Sequence, residues 1–122
     1  MKPPIFDIIK VVSAVTALLG TDPVRFFPFG QAPDDVEMPY AVWQTVSGSP
    51  ENYLSGTPSI DNWMAQVDVY AKKGSTARNV AEALRDALEA DLTAYITAWR
   101  GERKEDDNIF RYSFDVEFLT ER

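Results

Sequence analysis

Asp68 lies in one alternating run of the sequence, and Asp115 and Glu117 lie in another. If those runs pair as neighbouring strands, Asp68 and either Asp115 or Glu117 meet on one face. Paired carboxylates can bind Mg²⁺ or divide general acid and base roles, which would make a metal-dependent hydrolase. The same pattern is also the ordinary way a half-exposed sheet keeps its outer face wet. Asp34-Asp35-x-Glu37 and Glu105-Asp106-Asp107 are acidic runs in stretches read as turns, and neither has the Asp-x-Asp-x-Asp-Gly spacing of a calcium loop. The chain has no His and no Cys. That removes Ser-His-Asp and Cys-His nucleophiles, zinc fingers, disulfides and thiol redox centres. Its glycines form neither Gly-x-Gly-x-x-Gly nor a Walker cluster. The expectation is a protein that is not an enzyme, with no catalytic residue, no cofactor and no metal site.

A chain of 122 residues, 45% apolar and with fifteen aromatic residues, has enough to bury for one globular domain over residues 1–122. The net charge of −7 argues against a free-standing nucleic-acid binder, which needs a basic surface. Between Phe26 and Ala71 there are six acids and no Lys or Arg. That stretch is either a solvated surface or a docking face for a basic partner, the latter making the protein a monomeric acidic adaptor. Asp7 and Lys10 interrupt the apolar run after Lys2, so it is not read as a signal peptide. No segment approaches the ~20 apolar residues that span a bilayer, and the expectation is a soluble protein made inside the cell.

The elements that must position these residues follow from periodicity and punctuation. Pro3 and Pro4 open a helix with Ile5, Ile8, Ile9, Val12, Val15 and Leu19 on one stripe, widened by Val11 and Leu18 and ended by Gly20. Residues 24–29 form a short strand, with Pro28 marking an edge or an end. Residues 31–39 form an acidic, proline-bounded loop. Residues 40–47 have strand composition, 49–61 are irregular, and 63–71 alternate as a half-buried strand. Ser75 caps a second helix, whose buried stripe is Ala77, Val80, Ala81, Leu84 and Leu88. Residues 95–100 are a strand, 101–107 a charged turn, and 109–119 the longest strand, the two strands forming a hairpin. The order is α-β-β-β-α-β-β: an α+β fold with a mainly antiparallel sheet of about five strands and two helices packed on it.

The 49–61 stretch carries Tyr53 and Leu54 between Asn52 and Ser55. A loop of about a dozen residues without structure of its own is usually functional or disordered. The pair either folds back over the end of the core or anchors a neighbouring subunit.

Several phrases occur together and in order. Pro3-Pro4-Ile5-Phe6 opens the chain, then Phe29-Gly30 and Ala32-Pro33 precede Pro39-Tyr40-Ala41-Val42-Trp43-Gln44. Ser49-Pro50-Glu51-Asn52-Tyr53-Leu54 and Gln66-Val67-Asp68-Val69-Tyr70-Ala71 follow, and then a helix with Ala81-Glu82-Ala83-Leu84. Over nearly the whole chain the set resembles the tail-completion (tail-to-head joining, tail-terminator-like) proteins of tailed phages and prophages. The resemblance implies a non-enzymatic α+β subunit that forms a ring, typically six-fold, at the head-proximal end of the tail tube. The implied partners are other copies of itself, the tail tube protein and the head or neck connector protein, with no direct nucleic-acid recognition and no membrane. The implied location is the tail–head junction of the virion, after synthesis in the host cytoplasm. The family brings no catalytic residues to this chain. A six-fold ring needs a head-to-tail contact, and Asp34, Asp35 and Glu37 together with Ser49, Pro50, Glu51, Asn52, Tyr53 and Leu54 are assigned to subunit or partner contact.

Overall fold

A computed structural model describes residues 5–50, 60–91, 94–106 and 108–121. The strands are β1 (Phe26–Pro28), β2 (Tyr40–Pro50), β3 (Ile60–Ala71), β4 (Ala94–Asp106) and β5 (Ile109–Glu121). They form one sheet in the order β1-β2-β3-β5-β4, in which β1 runs parallel to β2 and every other pair is antiparallel. The helices are α1 (Ile5–Ile9), α2 (Ser13–Leu19) and α3 (Gly74–Glu89). The α+β class and the order of elements are those expected from the sequence.

The alternation in β3 and β5 builds the core face. Ala65, Val67 and Val69 stand opposite Val116, Phe114 and Tyr112, and β2 adds Ala41 and Trp43. The helices cover this face with Ile5, Ile9, Val15, Leu19, Val80, Ala81, Leu84 and Leu88. Small residues Ala77, Ala81 and Ala87 on α3 let the helix lie close over β4 and β5. Arg25 ties the periphery together, its Nε donating to the Pro39 carbonyl at 2.9 Å and its Nη2 to the Leu18 carbonyl at 3.1 Å.

Four local expectations change. The first helical run is broken between Ile9 and Ser13. Val12 takes an extended conformation (φ −94°, ψ 113°), and Val11 is 77% exposed at the break rather than on the buried stripe. Two adjacent β-branched residues weaken the helix there, and the break lets α1 and α2 each turn an apolar face to the core. Ser75 lies inside α3, whose N-cap position is Lys73, with no side-chain cap. The 49–61 stretch is not all loop. β2 and β3 continue through Ser49↔Asn62 and Pro50↔Asp61, leaving residues 51–59 outside the described residues.

The fourth change is the charged turn. Residues 101–106 belong to β4, β5 begins at Ile109, and Asp106 accepts a hydrogen bond from the Asn108 backbone N–H at 3.0 Å. A run of charges suits a strand when that strand is an edge with its side chains in water. β4 is therefore as long as β5, at 13 residues each.

Candidate functional site

The sheet face away from the helices holds the carboxylates that sequence reading paired. Register places Asp68 opposite Ser113 and Ser113 opposite Arg100, with Gln66 opposite Asp115 and Met64 opposite Glu117 in the next rows. Asp68 is 5% exposed. It accepts the Ser113 hydroxyl and both contacts of the Gln66 amide, each at 3.2 Å. Asp115 holds the Arg100 guanidinium at 2.9 and 3.4 Å, and Glu117 accepts the Tyr95 hydroxyl. The hydrogen bond that Arg100 donates to Asp115 raises the Arg100 pKa above its ordinary value, burial opposes it, and the charges of Asp115 and Asp68 add to it.

Each carboxylate is therefore committed to a separate partner. Asp68 and Asp115 lie in adjacent cross-strand rows of the same face, and the charges of both act on Arg100. Among the described residues no three or more Asp and Glu gather as a metal cluster. Ser113 donates to the buried Asp68 carboxylate, which fixes the orientation of its hydroxyl.

The acidic stretch between Phe26 and Ala71 does not become one acidic face. Asp61 and Asp68 are buried, whereas Asp34, Asp35 and Glu37 are exposed. The latter three lie in the 31–39 connection beside the β1 edge, where Asp35 and Glu37 line an open depression of about 470 Å³ with Asp22, Arg25 and Phe27. Ser49 and Pro50 lie at the other end of β2, and Glu51, Asn52, Tyr53 and Leu54 lie outside the described residues. Ser49 is thus separated from the start of β2, where the 31–39 connection enters, by roughly 30 Å at ~3.3 Å per residue.

Two exposed aromatic residues that the sequence assigned to no contact mark both flanks of the sheet. Phe29, just past β1, is 65% exposed, and Trp99 on β4 is 68% exposed. Trp99 overhangs a groove of about 440 Å³ between α3 and β4, with Ile96, Tyr112 and Phe114 on its apolar side and Glu82, Arg85, Asp86 and Glu89 on its helix side. In a regular strand residues 96 and 99 point to opposite faces. A bulge between Ile96 and Ala98 restores both to the helix side, with Ile96 opposite Val116 and Trp99 opposite Phe114. Periodicity in the sequence carried no sign of that bulge.

The sequence profile of the family described as Tail completion protein gp17 matches residues 3–121. The chain belongs to this family. As a tail completion protein it has a structural role in the bacteriophage tail, in agreement with the resemblance carried by its loop and strand phrases. Among solved structures, the chain is similar to one in the virion of the native gene transfer agent particle, with TM-score 0.69 and 16% identity over 97% of this chain and 92% of that one. It is also similar to the bacteriophage SPP1 gp17 protein, with TM-score 0.58 and 13% identity over 97% of this chain and 86% of that one. At these identities the likeness shows a shared fold. A search of curated proteins finds no match.

Proposed function

We propose that this tail completion protein is a non-enzymatic subunit that caps the tail tube at its head-proximal end and joins it to the head or neck, acting as a ring. The observation that carries this reading is the family match over residues 3–121. Its partners in this reading are further copies of itself, the tail tube protein and the head or neck connector, and its place is the tail–head junction. The geometry supports the reading in one respect. A closed ring requires unlike surfaces to meet head to tail, and Asp34, Asp35 and Glu37 precede one end of β2 while Ser49 and Pro50 lie at its other end.

The test is deletion of the gene in an inducible source strain, followed by electron microscopy of the lysate. Full heads beside unattached or over-long tails are expected. Normal joined particles would refute the role.

A further inference from the structure

We propose that the 94–99 half of the β4 edge, with the groove beside α3, receives an extended strand of a protein partner whose groove-facing side chains are apolar in the middle and Lys or Arg at both ends. This does not rest on the ring reading, and it gives this half of the edge to a partner other than a second copy. Among the described residues no strand pairs with the outer side of β4. The two halves of that edge differ sharply. Residues 100–106 carry Arg100, Glu102, Arg103, Lys104, Glu105 and Asp106, the charge that blunts an edge against strand addition, while residues 94–99 carry none. An open edge offers backbone hydrogen bonds, and a groove beside it selects alternate side chains. Six residues of edge span roughly 20 Å, room for about three groove-facing side chains.

The groove states the chemistry of its occupant. Ile96, Trp99, Tyr112 and Phe114 offer an apolar floor. Above it α3 presents Glu82, Asp86 and Glu89 against a single base, Arg85, which already lies 3.0 Å from Asp86 and 3.9 Å from Glu89. The rim is therefore net negative, and a basic end on the incoming strand complements it. A second copy of this chain fits less well. Its other edge, β1, is three residues long, includes Pro28 and is flanked by the exposed acids Asp34, Asp35 and Glu37, which would bring acid against acid.

The experiment uses the purified full chain and two synthetic peptides, acetyl-Lys-Thr-Phe-Thr-Val-Thr-Lys-amide and its counterpart with Glu at both ends. Amide hydrogen exchange is read across β4, and affinity is read by titration calorimetry. The expected result is slowed exchange confined to residues 94–99 with the Lys peptide, and binding about tenfold weaker with the Glu peptide. Trp99→Ala, an exposed position whose loss leaves the fold intact by circular dichroism, weakens the Lys peptide by about tenfold or more. The Glu82→Gln, Glu89→Gln double variant reduces both the affinity and its salt dependence. Unchanged exchange at saturating Lys peptide overturns the proposal, as does equal binding of the two peptides. Protection that grows with protein concentration alone assigns the edge to a second copy and overturns it too.

Discussion

Ser113 on β5 donates its hydroxyl to Asp68 on β3, directly opposite it in register, and the carboxylate is buried on the sheet face away from α1, α2 and α3. The pair fixes two central strands relative to one another at a point where a one-residue slip would put an apolar side chain against a carboxylate. We expect Ser113→Ala to cost about 1–3 kcal/mol, because it withdraws a donor from a buried anion. In a double-mutant cycle with Asp68→Ala, measured by urea unfolding, the two losses should be markedly less than additive. Additive losses would mean the hydrogen bond contributes nothing to the fold.

Tyr40 and Tyr70 stack across β2 and β3 with ring centroids 5.2 Å apart. Burial first, and then repulsion from a Tyr70 phenolate, raise the Tyr40 pKa above its ordinary 10.0. A hydroxyl harder to ionise in the folded chain than in the unfolded one contributes stability that is whole below the unfolded pKa and is lost as pH rises beyond it. Urea midpoints followed from about pH 8 to about pH 11 should fall more steeply for the wild type than for Tyr40→Phe. Parallel curves would rule this linkage out.

Gly20 closes α2 at φ 84°, ψ 173°, and a Cβ there would stand 2.9 Å from the Arg25 Nη1. That backbone region is essentially glycine's alone, at a cost of about 1–3 kcal/mol for other residues. The guanidinium cannot simply swing aside, because its other nitrogens hold Leu18 and Pro39. Gly20→Ala should therefore lower the thermal midpoint more than Arg25→Ala does. The reverse order in calorimetry would show that the turn tolerates a side chain.

Leu84 is fully buried where α3 meets the sheet. Leu84→Ala should lose about 2–5 kcal/mol, while Glu82→Gln on the exposed side of the same helix stays within about 0.5 kcal/mol. Equal effects would place the core elsewhere than between α3 and the sheet.

For the contact regions, we expect the Asp34→Asn, Asp35→Asn, Glu37→Gln triple variant and the Tyr53→Ser, Leu54→Ser double variant to fold normally yet fail to restore joined particles in a deletion strain. Counting joined particles by electron microscopy checks this, and wild-type numbers from either variant would remove its residues from the assigned contacts.

The pattern of residues along this chain determined which elements exist and which way they face. Alternation in β3 and β5 and the three- and four-residue spacing in α3 each name a buried face without reference to any other part of the chain, because strand and helix periods are local. The absence of His and Cys is equally local and removed whole classes of chemistry. What the sequence left open depended on neighbours. The charged residues 101–106 read as a turn because their strand character comes from pairing with β5 at the sheet's edge, not from their own composition. The split between α1 and α2 answers to the core both must cover. Asp68, Asp115 and Glu117 were visible as a possible pair, but only strand register could assign each a different partner. Trp99 was visible as an aromatic in a strand, and only a bulge with no sequence signature turned it over the α3 groove. Register, edge position and bulges are set by contacts between segments distant in sequence, so they were decided by the tertiary structure.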